Sequence, residues 1–563
     1  MEKRGTFLGV CVGILLGCGA RSKIEDGDFT FSLQTGGSGG DTSMNATVDG
    51  GGRLVSLGGK SGSLSYPQGG VAGTTTSAPR TFLKKNFLVT ASNQYVSKVF
   101  AASIDQDGVP SIWDVIPEGI TNNTYFSASL SKGARRAVIQ NNENASFLLA
   151  ELDYHTTADL FAAGIDSTVP YVEMKGWFDD EHFMIDANPG FSTRPFERWF
   201  VQIDPATQKP YVSSKETSVT TGSISEDGKW ITSTWVGTSS EKRFELASVG
   251  DFGVASVVVS EVRPKSDELW SSIAPNGRSA ILNITDSNGV DSTAIYDLTT
   301  PVTAVKRISK SSSVYSWTYS PASNYLVGFH ISDVLPIVTV ATGASRTFPL
   351  SKGTQVKAIS SSDEYAVLVN GSRISSLSLR NPDGTDTANP TENLLIDHRD
   401  DRAVDNLTSI REGQDVIYTL TNYSTINDEV FWFQVNSPAT TVQNISKLLG
   451  ASVGMNFSVA PSGDYVAIPS VDSSKMYLVL LAQPPKVQLI YLPPVDSQVS
   501  SFIDFAWAPD DSGLVVVRGG ANSSVHYLPR QVERAKGFGE LRSIDLPIAV
   551  PFEIELKMPK RWD

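Results

Sequence analysis

One short phrase returns along this chain at nearly even spacing, and it limits the possible folds more than any other feature. A small residue, often followed by Pro, opens a turn of Asp, Asn, Gly or Ser, and five places later an aromatic or apolar residue starts a hydrophobic strand. The best copies are Ser225-Glu226-Asp227-Gly228-Lys229-Trp230, Ala274-Pro275-Asn276-Gly277-Arg278, Ser320-Pro321-Ala322-Ser323-Asn324-Tyr325, Ala460-Pro461-Ser462-Gly463-Asp464-Tyr465 and Ala508-Pro509-Asp510-Asp511. Weaker copies begin near Thr90, Ser131, Phe178, Ser360 and Ile410, so successive starts lie 40 to 50 residues apart. A period of that length marks a repeat architecture.

The chemistry of the phrase explains its recurrence. Pro presets the second turn position, while Asp, Asn and Gly accept the conformations that reverse a chain, so each following strand begins in a fixed register. Strand patterns then recur at 279–284, 294–298, 147–152, 198–203, 337–340 and 430–435, with almost no run of helical periodicity. A four-stranded sheet of this length leaves one apolar face bare and must pack on a neighbour of its own kind. Radial packing of such sheets predicts an all-β fold, a β-propeller of eight to ten four-stranded blades, with two smaller propellers as the alternative. Segments at 82–90 and 543–556 are placed to pair and close the ring.

Trp317-Thr318-Tyr319-Ser320-Pro321, Trp270-Ser271-Ser272-Ile273-Ala274-Pro275 and Ala506-Trp507-Ala508-Pro509-Asp510 resemble the turn signature of TolB-type propeller repeats. The resemblance covers most of residues 85–550. It implies that the aromatic residues pack between blades and that the Asp-Gly turn is structural. These residues then mark a fold and no active site.

The N-terminus carries an address. Lys3 and Arg4 precede 5–17, which hold only apolar and small residues apart from Thr6, the layout of an export signal. It is shorter than the roughly 20 apolar residues that a spanning helix needs. Leu15-Leu16-Gly17-Cys18 resembles the lipobox of bacterial lipoproteins, and this implies that Cys18 becomes the lipidated first residue of the mature chain. The only other cysteine, Cys11, lies in the segment that would be removed, so no disulfide is expected. Gly19 stands where an Asp would favour inner-membrane retention, so the resemblance implies the outer membrane, on either its periplasmic or its surface face. Residues 35–80 are dominated by Gly, Ser and Thr, a composition that cannot offset the entropy of ordering. The domain reading is therefore a signal peptide at 1–17, a flexible tether at 18–80, repeats at 81–558 and a short tail at 559–563. Gly59-Lys60-Ser61 imitates the end of a phosphate loop, but Leu54 stands where that loop needs a glycine.

No catalytic, cofactor or metal constellation follows from the remaining residues. His155, His182, His330, His398 and His526 share no spacing that would put two on one metal from one element. A Gly-x-Ser-x-Gly nucleophile turn is absent. Asp105, Asp107, Gly108 and Asp114 suggest a calcium loop, but Ser103 sits at the first ligand position and the bidentate Glu is missing, so a polar hairpin turn is expected. Asp179-Asp180-Glu181 and Asp400-Asp401, the latter between Arg399 and Arg402, read as solvated turns. The tryptophans, among them Trp199, Trp230, Trp317 and Trp507, stand on strands or at strand starts, where packing is expected.

With 46 basic and 60 acidic residues the formal charge is -14, which repels phosphate backbones and excludes nucleic acid as an expected partner. Two function classes remain. The first is a lipid-anchored, noncatalytic envelope scaffold that binds a protein or an envelope polymer. The second is an envelope hydrolase or lyase whose groups converge only in the folded channel.

Overall fold

The computed structural model describes residues 85–92, 97–116, 126–141, 147–160, 171–188, 197–217, 219–236, 241–249, 255–299, 302–309, 314–330, 333–381, 383–388, 392–399, 402–421, 428–450, 453, 456–493, 502–519, 523–531, 537–548 and 553–560. These residues belong to one compact unit, Thr81–Asp563. They form ten antiparallel four-stranded sheets. In chain order the sheets are blade 1 (126–159), blade 2 (171–217), blade 3 (219–264), blade 4 (268–309), blade 5 (314–349), blade 6 (355–397), blade 7 (403–444), blade 8 (458–491) and blade 9 (502–545). Blade 10 takes its first strand, Glu553–Lys557, from the C-terminal end and its other three from 85–114. First strands touch one another in most neighbouring pairs, among them blades 2 and 3, 3 and 4, 6 and 7, and 9 and 10, as the innermost strands of radial sheets do. The fold is a ten-bladed β-propeller.

Ten hydrophobic clusters hold the ring, and each fills one interface between consecutive blades. Phe147, Leu149, Trp177 and Trp199 join blades 1 and 2, for example, while Trp507, Leu514, Tyr465 and Leu478 join blades 8 and 9. The series runs without a break through blades 9 and 10, where Val515 and Tyr527 meet Phe87 and Phe100. From there it returns to blade 1 through Leu88, Ala137 and Ile139. An unbroken series of apolar interfaces leaves no border at which two smaller rings could separate. Closure comes from Glu553–Lys557 lying antiparallel to Lys85–Ser92, with Leu88 opposite Lys557 and Ser92 opposite Glu553.

The recurring phrase is the turn between the first and second strands of a blade. Ser225 N donates to Trp230 O (2.9 Å) and Gly228 N to Ser225 O (3.0 Å), and the same pair of bonds recurs at Ala274, Ser320, Ser360, Ala460 and Ala508. The fourth turn residue is left-handed each time, as in Gly228 (φ 75°), Ser323 (φ 64°), Asp363 (φ 59°) and Asp511 (φ 60°). That residue leans on the turn of the preceding blade. A Cβ on Gly228 would fall 2.4 Å from Phe178 O, and one on Gly463 would fall 2.8 Å from Arg411 Cγ, so both close approaches need glycine. Where a side chain is present it bonds instead. The buried Asp363 carboxylate accepts from Ser320 Oγ (2.6 Å), Ala322 N (3.1 Å) and Asn324 N (3.0 Å) of blade 5.

The copy expected near Thr90 has a different meaning. Thr90 lies inside the second strand of blade 10, whose first strand arrives from the other end of the chain, so no first-to-second turn exists there. Nine such turns serve ten blades. The expectation that aromatic residues pack between blades holds for Trp317 and Trp507, while Trp270 on the first strand of blade 4 is 42% exposed.

Candidate binding cleft

In a repeat protein the repeat accounts for most residues, so a break in it is where function is sought first. Blade 7 breaks it at its outer edge. Its first strand, Ala403–Ile410, carries the register slip seen in several other blades, with Asn406 left-handed (φ 41°). Its fourth strand shrinks to Gln443–Asn444. Two short helices, α1 (Pro438–Thr441) and α2 (Ile445–Leu449), take the place of the missing strand. Pro438 suits a first helical turn, Asn444 Oδ1 caps α2 by accepting from Lys447 N (2.9 Å), and Gly450 ends it left-handed (φ 62°). The ladder bonds that a full strand would make come from hydroxyls. Thr441 Oγ1 accepts from Gln434 N (2.9 Å), and Ser446 Oγ accepts from Val430 N (2.8 Å).

This substitution leaves a cleft of about 420 Å³ between blades 6 and 7, within the range of small ligand sites. Leu395, Ile396, Asp397 and His398 line it from the end of blade 6, and Phe431, Val442 and Asn444 from blade 7. His398 is fixed from two sides: Nε2 meets the Tyr418 hydroxyl at 2.7 Å, and the ring stands edge-on to Phe431 at 4.8 Å. Burial pushes the Tyr418 hydroxyl above the ordinary tyrosine range, so it stays protonated and can donate to the imidazole. Arg402, close enough to Tyr418 to act on it electrostatically, bonds Glu429 at 2.5 Å. Burial opposes ionisation of Glu429, but Arg402 and Asn444 outweigh it and hold the carboxyl below its usual value. The result is an open recess with an aromatic and aliphatic floor and a polar lip.

The other residues considered from sequence do not join this cleft. His155 stacks on Trp113 (5.3 Å) at the blade 10–blade 1 rim, and His182 bonds Asp179 (2.8 Å) in the blade 2 turn. His526 is buried in blade 9. His330 ends the second strand of blade 5. Asp105 accepts from Val109 N (2.7 Å) in a hairpin turn, as expected, and Asp114 pairs with Lys98. Asp180 accepts from Gly133 N (2.7 Å), another link between neighbouring turns. Among the described residues no group of three or more His, Asp, Glu or Cys is placed to hold a metal, and no helix is long and apolar enough to cross a membrane. Cys18, Gly59-Lys60-Ser61, Asp400 and Asp401 lie outside the described residues. Sequence reasoning named His398 but missed Phe431, Val442 and Asn444. The signal that could have found them is the Ser437-Pro438 helix start and the cap residues Asn444 and Gly450, within a repeat where a plain strand was due.

No protein-family model matches this chain, and no curated protein matches it by sequence. Solved structures do. Hsv2 from Kluyveromyces lactis aligns at 12% identity and a TM-score of 0.32, over 61% of this chain and 99% of that one. Sqt1 from Chaetomium thermophilum, solved bound to the N-terminus of ribosomal protein L10, aligns at 13% identity and a TM-score of 0.31, over 60% and 91%. The Cps50 (Swd1) β-propeller domain from Myceliophteria thermophila aligns at 12% identity and a TM-score of 0.28, over 64% and 99%. At these scores the likenesses carry no argument of their own, and the propeller assignment rests on the strand pairing and the ten interfaces of this chain.

Proposed function

We propose that this chain is a lipid-anchored β-propeller of the bacterial envelope that binds a protein or an envelope polymer without catalysing a reaction. The observation that carries the binding role is the blade 6–blade 7 cleft, opened where the repeat gives up a strand. His398, Asp397 and Asn444 form a polar lip around its apolar floor. Fourth strands end, and third strands begin, at the rim opposite the nine linked turns, so the cleft opens at the rim of second-to-third and blade-to-blade loops. Loops carried on a rigid scaffold are the usual place for recognition. The anchor and the outer-membrane location rest on the Leu15-Leu16-Gly17-Cys18 resemblance.

Two experiments test the parts separately. Cys18→Ser should move the protein from the membrane fraction to the soluble fraction, and unchanged fractionation rules the anchor out. A photo-crosslinking residue at Leu395 or Val442 should trap one reproducible partner in intact envelopes, whereas the same residue at Tyr154 on another rim should not. If Leu395 and Tyr154 give the same products, the cleft is not the binding site.

A further inference from the structure

The outer edge of every blade carries unpaired backbone groups that invite another strand, and natural sheets guard such edges with bulges, short strands, Pro or charge. Nine of the ten outer strands here are guarded. Blades 2, 3, 4 and 6 have a register break between their third and fourth strands. The outer strands of blades 1 and 9 have only four residues, and that of blade 7 has two. Blade 5 ends its outer strand at Pro349 with its large apolar residue, Phe348, turned inward. Blade 10 begins its outer strand at Pro110, and the His155 ring stacks on its Trp113.

Blade 8 is the exception. Its outer strand, Lys486–Tyr491, pairs in unbroken register with Lys475–Leu480 and contains no proline. Val487, Leu489 and Tyr491 point to one face and are 43%, 38% and 68% exposed. Their cross-strand partners Val479 and Tyr477 are buried against blade 7. The outer strand of the preceding blade 7 is only two residues long. On the other face Ile490 packs toward blade 9, and Gln488 Oε1 accepts from Phe538 N (3.0 Å), so the strand is held firmly in place.

The strand pair that forms this edge is basic. Lys475 and Lys486 lie on it, and Lys475 Nζ lies 5.7 Å from the Tyr491 ring. Asp472 is the one acid between 465 and 491, and the Ser470 and Ser474 hydroxyls of its own turn occupy its carboxylate. The chain as a whole carries -14. We propose that the outer edge of blade 8 receives an extended acidic segment of a partner protein as a fifth strand, its alternate apolar side chains lying beside Val487, Leu489 and Tyr491. This adds a second contact surface to the binding role above, and its test uses neither the blade 6–blade 7 cleft nor the anchor, so the two readings stand or fall separately.

The probes are two labelled ten-residue peptides, one alternating Val and Glu and one alternating Val and Lys, titrated into the full-length chain. The Val/Glu peptide should bind at least tenfold tighter and slow amide exchange at 486–491 and at no other outer strand. Leu489→Lys should weaken it tenfold or more, and Lys475→Glu should reverse the preference between peptides. The exchange measurement uses the unaltered chain, so it stands even if a variant misfolds. Equal binding of both peptides, or no protection at 486–491 with saturating Val/Glu peptide, overturns the proposal. A concentration-dependent dimer that protects 486–491 without peptide also overturns it, because the occupant is then a second copy.

Discussion

His526 stands on the third strand of blade 9 with both ring nitrogens bonded to hydroxyls, Nε2 to Ser524 (2.9 Å) and Nδ1 to Ser543 (2.6 Å). Burial, and then the nearby Arg518 charge, push its pKa down to about 4. Below about pH 6.5 the unfolded chain takes up a proton that the native chain refuses until about pH 4, so stability falls across that window as the pH is lowered. The contribution reaches about 3 kcal/mol. In urea titrations at pH 7, 5.5 and 4, His526→Asn should lose less stability on acidification than the parent, and parallel losses would remove this assignment. Asp363 makes a second residue-scale case. Asp363→Ala should cost about 2–4 kcal/mol, because it strands the blade 5 turn donors and keeps a Cβ at positive φ. Asp363→Gly should cost less, since only the bonds are lost. An equal loss in thermal melts would show that the left-handed backbone contributes nothing. In the sequence, Ser360 to Asp363 looked like a worn copy of the phrase. Its Asp363 is the group that ties one turn to the next, and nothing in a single chain marks which worn copies carry such a bond.

At the scale of elements, the third-to-fourth connections explain what the repeat does not. They fold back onto the preceding blade. The α1 helix contacts the outer strand of blade 6, and the turn holding His155 stacks on the outer strand of blade 10. The blade 9 excursion sends Phe538 between Tyr465 (5.1 Å) and Trp507 (5.7 Å). Phe538→Ala should therefore cost about 3–4 kcal/mol and loosen blade 8 as well as blade 9, visible as faster amide exchange at 475–480. If blade 8 exchange is unchanged, the excursion does not bind the two blades together. The strands were legible because alternation and turn chemistry repeat many times over. The α1 and α2 helices were not, since four or five residues are too few to show a helical period. The cleft was illegible for a related reason: its walls come from 395–398, 431, 442 and 444, which belong to two different repeats.

For the whole molecule, even spacing predicted eight to ten sheets but not how they close, because a periodic signal is the same in one ring or two. Ten unbroken interfaces decide that question. The pairing of the two ends was foreseeable from the strand patterns at 82–90 and 543–556, and it occurs between Lys85–Ser92 and Glu553–Lys557. Deleting 553–563 should expose the inner edge of blade 10 and abolish cooperative unfolding. Deleting the four-residue outer strand Arg542–Asp545 alone should leave a cooperative transition at lower temperature. Calorimetry separates the two outcomes, and a sharp transition in both would mean that the ring does not depend on its closing strand.

Leu88 and Lys557 face each other across that seam, with Lys85 beside the blade 9 turn through Asp510 (2.6 Å). The polypeptide thus starts and finishes its circuit at one spot. A short linker from Lys560 to Lys85 would fuse the ends, and new ends could be cut at the exposed Gly371 bend of blade 6. Such a circular permutant should refold into the same ring, with the seam moved from blade 10 to blade 6.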